Sequence, residues 1–299
     1  MIKEVKAVKE INEIAEKVRI NWYPGHMKKA REMIEKNVKL IDVVIELLDA
    51  RIPFSSANPI ITELAGEKPR VVVLNKADLA DSETVKEWVQ FYHHQGIQVV
   101  SLDSKSGRGI KQLIKIIEEL AKPSVQKWRN KGLLSHSIRT IILGIPNVGK
   151  STLINLLAGS AAAKTADRPG ETKGKQWVKI GRNLELLDTP GVLWPKLSNQ
   201  TAAYRLAATG AIADDVFDME YVVGRLVEEL SVSHPQALMT RYKLMELPTS
   251  SEAAVEAIGR KRGCLLSGST IDLEKARKII LNEFRDGKLG KISLDTVTK

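Results

Sequence analysis

The stretch TIILGIPNVGKST, residues 140–152, decides how the rest of the chain reads. An apolar run, Ile141 to Leu143, enters Gly144. After a short loop come Gly149, Lys150 and Ser151, and then an apolar helical pattern, LINLLAG. Strand, glycine-rich loop and helix in that order are the context of a phosphate-binding loop. Gly144 and Gly149 let the backbone curl so that the N–H groups of Asn147, Val148, Gly149, Lys150, Ser151 and Thr152 can face an anion. Lys150 supplies a point charge for the terminal phosphates of a nucleotide, and Ser151 a hydroxyl for Mg²⁺. The helix from Thr152 aims its positive end at the same anion.

Composition sets the outer bounds. A chain of 299 residues can bury a large core, and its length suggests two domains. Apolar content of 43% with 27% charged residues describes a globular protein. The single cysteine, Cys264, excludes an internal disulfide framework and fits a reducing compartment. The opening residues lack a charged-then-apolar leader pattern, and no apolar run reaches transmembrane length. The longest candidate, residues 40–48, carries Asp42 and Glu46. A cytoplasmic protein is expected. Net charge is +10, which fits polyanionic partners or, equally on composition alone, a solvated basic surface. Basic residues cluster at Lys28, Lys29 and Arg31, at Lys127, Arg129 and Lys131, at Lys173, Lys175 and Lys179, and at Arg260, Lys261 and Arg262.

Before the phosphate loop, residues 2–18 carry apolar positions at roughly three-residue steps and predict a helix, either docked or held loosely as an arm. Pro24-Gly25 marks a turn, and Met27, Ala30, Ile34, Val38 and Ile41 form a helical stripe after it. Trp22, Tyr23 and His26 crowd this turn. Core packing and a helix-start role explain them as well as function does. Residues 43–48 read as a buried strand ending in DARIP, 49–53, with an irregular loop following. Residues 70–74 read as a second buried strand ending in Asn75-Lys76-Ala77-Asp78.

That tetrad carries specific chemistry. Guanine presents N1–H and a 2-amino group side by side, and one carboxylate, Asp78, can accept from both. Adenine lacks donors at those positions and would leave Asp78 unpaired in a closed pocket. Asn75 can brace neighbouring loops, and the stem of Lys76 can lie along the base. NKxD alone is a weak signal; at a strand end, in a chain with a phosphate loop, it is strong. A helix over 82–95 and a strand over 98–102 follow, ending in Asp103-Ser104-Lys105-Ser106-Gly107, whose backbone can offer an N–H to the guanine O6. A helix over 110–120 and a basic connector, 122–139, lead to the phosphate loop.

After that loop, residues 166–172 are polar and turn-rich, and Thr172 is the candidate hydroxyl for Mg²⁺ when a γ-phosphate is present. Residues 176–180 and 184–187 flank Gly181-Arg182-Asn183, a hairpin signal. The second strand ends in Asp188-Thr189-Pro190-Gly191. Asp188 is placed to hold Mg²⁺ through water, and the Gly191 N–H to contact the γ-phosphate. From about residue 200 helical patterns dominate, at 200–208, 216–230, 235–244, 251–260 and 273–284, and predict an all-α domain over 200–299. Its most basic point, 259–263, is either an RNA contact or a solvated helix end.

Most GTPases run phosphate loop, mobile threonine, DxxG, NKxD, guanine-edge loop. Here NKAD and the 103–107 loop precede the phosphate loop, Thr172 and DTPG, so the order is circularly permuted. Loops at the ends of one parallel sheet stay in place when the chain is re-cut. The expected architecture is α/β: a permuted P-loop GTPase domain over 21–195 on a parallel-dominated sheet, a helical extension over 1–20, and the helical domain. The new termini fall beside DTPG, which would tether the N-terminal segment and the helical domain at the switch.

With NWYPGHM (21–27), DARIP, NKAD, GIPNVGKST, RPGET (168–172), LLDTPGVLWPK (186–196) and IGRKRGCL (258–265), the chain resembles the ribosome-assembly branch of the circularly permuted GTPases. The helix at 2–18 departs from that family, and Asp103 stands where many GTPases have serine. The resemblance implies a GTP hydrolase that binds the immature large ribosomal subunit, its rRNA and proteins, and assists late assembly, with hydrolysis timing release. A GTP-gated RNA-binding factor with incidental hydrolysis is the alternative. A tRNA-modification GTPase is a distant third, disfavoured by the permuted order. The position after DTPG that often carries a water-orienting glutamine is Val192, and the family's invading histidine matches His26, which can orient water or take a proton. Asn147 matches the asparagine that potassium-activated GTPases use as an ion ligand; a loop-bracing amide is the other reading. A monomer is expected.

Overall fold

The computed structural model describes residues 24–132, 137–162, 177–181, 183–187, 189, 191, 199–268 and 270–297, with backbone alone at 24–30 and 160–162. The expected helix at 2–18 lies outside the described residues.

Two compact units are present, one of Pro24–Lys196 with Lys291–Lys299, the other of Leu197–Gly290. The first is built on a sheet of β1 (Val43–Asp49), β2 (Arg70–Asn75), β3 (Gln98–Ser101), β4 (Ile138–Gly144), β5 (Trp177–Ile180) and β6 (Leu184–Leu187) in the order β3-β2-β1-β4-β6-β5. All neighbours pair in parallel except β5 with β6. β1 is buried along its whole length, as a central parallel strand covered on both faces must be. This is the expected parallel-dominated α/β class.

Chain order steps outward from β1 to β2 and β3, then crosses back so that β4 pairs with the other side of β1. The switch point lies between β1 and β4, where open α/β sheets bind ligands at the carboxyl ends of their strands. The register sets Leu47 against Gly144 and Asp49 against Asn75. DARIP, NKAD, the phosphate loop and DTPG all leave the same edge of the sheet.

The helices around it are α1 (Pro24–Val38), α2 (Pro53–Ser56), α3 (Pro59–Ala65), α4 (Ser82–His94), α5 (Ile110–Asn130) and α6 (Lys150–Ala162). The expected short helix at 110–120 and basic connector at 122–139 are corrected here. α5 runs on through Pro123 to Asn130. Its buried stripe, Leu113, Ile116, Ile117 and Ala121, carries it to the proline, and just beyond, the Ser124 hydroxyl donates to the Asp42 carboxylate. Packing there outweighs the lost N–H of Pro123.

The helical unit contains α7 (Gln200–Ala208), α8 (Met219–Ser233), α9 (Pro235–Tyr242), α10 (Ser251–Lys261) and α11 (Leu273–Arg285). Side chains of Asn199, Asp218, Ser250 and Asp272 cap the N-termini of α7, α8, α10 and α11. Glu283 on α11 accepts from Arg241 at 2.8 and 3.0 Å and from Arg262 at 2.8 and 2.9 Å, tying α9 and the end of α10 to α11. The unit ends at Gly290, earlier than the expected 299. Residues 291–297 join the sheet-bearing unit instead, where Ile292 and Leu294 are buried.

At the tip of β1 sits a buried ion cluster. The Asp49 carboxylate accepts from Arg51 Nε at 3.0 Å and from a terminal guanidinium nitrogen at 2.9 Å, and pairs with Lys76 Nζ at 3.0 Å. Burial pushes the Asp49 carboxyl up, but the Arg51 and Lys76 charges outweigh it and hold it well below the usual carboxylate range. A carboxyl depressed by folding adds stability above its unfolded pKa and loses it as pH falls toward the folded one. Chemical denaturation across a pH series should show unfolding free energy declining from about pH 5 downward. Asp49→Asn should cost about 3 kcal/mol at pH 7 and flatten that acid limb, because Arg51 then keeps its charge without its partner. An equally steep limb in the variant would assign the acid sensitivity to other carboxylates.

Candidate functional site

The phosphate loop follows from β4 ending at Gly144. A Cβ there would fall 2.6 Å from the Leu47 carbonyl oxygen, so the close pairing with β1 requires glycine. Asn147 takes a left-handed conformation at φ +55° and Gly149 at φ +104°. These turns bring the loop round to α6, whose first residue is Lys150. The Lys150 ammonium donates to the carbonyls of Gly144 at 3.2 Å and Ile145 at 2.6 Å, folded back across its own loop. The next two residues, Ser151 and Thr152, expose their side chains.

The base motif meets this loop directly. Asn75 Nδ2 donates to the Val148 carbonyl at 2.8 Å, and Asn75 Oδ1 accepts from Ser104 N–H at 3.2 Å and Ser104 Oγ at 2.8 Å. One buried amide therefore joins NKAD, the phosphate loop and the 103–107 loop. The contact is close enough that a Cβ on Gly149 would lie 2.4 Å from Asn75 Nδ2. Lys76 is also left-handed, at φ +61°, with its ammonium on Asp49. Asp78 is half-buried at the end of the motif.

Asp103 is occupied differently from a ligand-facing group. Its carboxylate accepts from Lys105 N–H at 2.9 Å, Ser106 N–H at 3.2 Å and Ser106 Oγ at 2.5 Å. Burial raises the Asp103 carboxyl, and these donors with the Arg108 charge outweigh it and lower it. Asp103 shapes the loop that presents Ser104; its own oxygens are spent on the turn.

DTPG is represented by Thr189 and Gly191. The Thr189 hydroxyl donates to the Ile142 carbonyl of β4. A Cβ on Gly191 would lie 2.7 Å from Pro146 Cα and 2.9 Å from Lys150 Nζ, which sets this backbone directly over the phosphate loop. Thr172, Asp188 and Val192 lie outside the described residues. His26 falls in the first turn of α1, and its side chain lies outside them too.

The Asp49–Arg51–Lys76 cluster escaped sequence reasoning. A signal existed: Asp49 stands at the tip of an apolar strand. Of the basic point at 259–263, Arg262 is taken up by Glu283 and Arg260 pairs with Glu256 at 3.0 Å, while Lys261 is exposed. No described helix is long and apolar enough to cross a membrane. Among the described residues no cluster of His, Cys, Asp and Glu could hold a metal alone.

Comparison with known proteins agrees with this geometry. A family described as a 50S ribosome-binding GTPase matches residues 139–231. Ribosome biogenesis GTPase A of Bacillus cereus is 47% identical over 277 residues, covering 93% of this chain and 94% of the relative. The Thermotoga maritima protein of the same name is 30% identical over 92% of this chain and 94% of its own length. The GNP-bound structure of YlqF from T. maritima superposes with a TM-score of 0.67 at 28% identity, covering 90% of this chain and 98% of the other. A GDP-bound YlqF structure gives 0.64 at 26% identity, covering 89% and 99%. Permuted motif order, strand-end convergence and identity along nearly the whole length place this chain in the ribosome biogenesis GTPase A family of circularly permuted GTPases.

Proposed function

We propose that this GTPase acts on the immature large ribosomal subunit and that GTP hydrolysis times its release. The observation that carries the reading is the Asn75 bridge, which sets a guanine-selecting motif against a phosphate loop. The net charge of +10 and the 50S-binding description of the matching family support the ribosomal partner.

In this reading Asp78 pairs with the guanine N1–H and 2-amino group, and Ser104 holds its loop at the O6 edge. Backbone N–H groups from Asn147 to Thr152 hold the phosphates, with the Gly191 N–H above them. Lys150 leaves its carbonyl partners for phosphate oxygens. Mg²⁺ fits the residue types present: the Ser151 hydroxyl is exposed beside Lys150, and Thr172 and Asp188, outside the described residues, are of a type that would supply further hard oxygen donors. The ion would neutralise charge developing on the phosphates. K⁺ near Asn147, whose side chain is exposed on the loop, would add positive charge where other GTPases use an arginine. His26 orients the attacking water in place of the glutamine that Val192 replaces. That replacement also favours a second reading, a GTP-gated RNA-binding factor in which hydrolysis is incidental.

Nucleotide turnover, measured with GTP and ATP and with and without large-subunit precursor, tests the proposal. GTP-specific turnover accelerated by the particle is expected; equal use of ATP would sink the guanine assignment. Asp78→Asn should move base preference from guanine to xanthine, read by competition binding. His26→Ala should cut turnover about 10²-fold, the low end for loss of a general base or water-orienting group, and leave GTP affinity intact. Normal particle maturation in cells carrying that variant would select the second reading. Hydrolysis should run faster in K⁺ than in Na⁺, and equal rates would remove the ion from the mechanism.

A further inference from the structure

The C-terminal residues 291–297 end in no strand or helix, yet they are held by the loops that surround the base motif. Ile292 N–H donates to the Leu79 carbonyl at 3.0 Å. Asp81 N–H donates to the Ser293 hydroxyl at 3.1 Å. The N–H groups of Leu294 and Asp295 donate to the Arg51 carbonyl at 2.8 and 3.3 Å. The Asp295 carboxylate is 2% exposed and accepts both from Ser55 N–H at 2.6 Å and from Ser55 Oγ at 2.8 Å. Trp88 Nε1 donates to the Asp295 carbonyl at 3.3 Å. Val297 packs on the cluster that includes Leu74, Ala80 and Trp88.

These contacts converge on one feature. Leu79 directly follows Asp78, and Asp81 stands three residues after it. Arg51 grips Asp49, which in turn grips Lys76. The motif is thus held at its start by Asn75 and behind its end by this strap. Its middle is held by an ion cluster whose Arg51 backbone the strap also fastens. A bidentate carboxylate–guanine pair tolerates little displacement, since misplacement by about 1 Å is enough to cost large factors in well-oriented sites. We propose that the strap 291–297 belongs to the guanine-recognition apparatus, with Ile292 and Ser293 holding the 79–81 turn and Asp295 a positioning residue for Asp78 that acts through Ser55 and Arg51. This rests on the reading of Asp78 as the guanine acceptor. In sequence the strap follows Gly290, the last residue of the helical unit.

The test compares fluorescent GDP and IDP binding to the full chain and to Asp295→Ala, Ser293→Ala and Asp295→Asn. Measurements are made below the unfolding midpoint of each protein. Inosine lacks the 2-amino group, so it makes one contact to Asp78 where guanine makes two. Asp295→Ala should weaken GDP binding about tenfold and IDP binding less, narrowing the guanine-over-inosine ratio. Asp295→Asn, which retains one carbonyl acceptor for Ser55, should restore part of that ratio. If Asp295→Ala does not fold, Ser293→Ala, which removes the acceptor for Asp81 N–H, should narrow the ratio by itself. Equal proportional losses for the two nucleotides, or none, would overturn the proposal, because general loosening weakens both alike. Asp78→Asn in parallel separates the two levels. If it leaves guanine preference intact, the underlying site assignment fails. If it abolishes preference while the strap variants keep the full ratio, the strap proposal alone fails.

Discussion

The site depends on a single primary amide. Asn75 uses its nitrogen on the phosphate loop and its oxygen on the loop of Ser104. Neither end is left to water, and the pair of donors and acceptors fixes the amide's orientation. In a buried setting such a bond is costly to leave unmade, so each loop constrains the other. Gly149 belongs to the same constraint, because a side chain there would displace Asn75. Within the sheet register that places β2 and β4 on either side of β1, this side chain ties base motif to phosphate loop.

Around that bridge the protein places charge where a core would ordinarily be apolar. Asp49 and Arg51 are almost wholly buried, and Lys76 reaches them from a left-handed backbone position. Buried ion pairs contribute little net stability against an apolar replacement, but removing one partner is expensive. The arrangement is better understood as fixing the course of the Lys76 stem. Strain at Lys76 and Asn147 is held by the packing on either side of them, a pattern typical of sites that must be preorganised.

Permutation changes connections without changing neighbours. Parallel pairing of β1 with both β2 and β4 puts the strand ends side by side whatever the chain order. What re-cutting alters is which segments emerge near the site. In sequence the helical unit follows DTPG and ends at Gly290. The chain after Gly290 belongs to the sheet unit, where Ile292 to Asp295 fasten to the loops beside NKAD.

By itself the sequence determined the local things. Apolar runs in 43–48, 70–74 and 141–143 are buried strands, which the structure extends to Asp49, to Asn75 and over Ile138–Gly144; the glycine pattern of 144–151 is a phosphate loop, and the order of motifs is permuted. These are readable because glycine spacing, strand periodicity and capping act within a few residues. Only the tertiary structure decided that α5 passes through Pro123, that Asp103 turns inward on its own loop, that Asp49 holds Lys76, and that residues 291–297 close on the base motif. The alternation of buried Ile292 and Leu294 in the tail was a faint hint of extended packing, with nothing to say against what. The physical reason is separation: Ser55 and Asp295 stand 240 residues apart, and a hydrogen bond across that interval leaves no mark on the sequence near either partner.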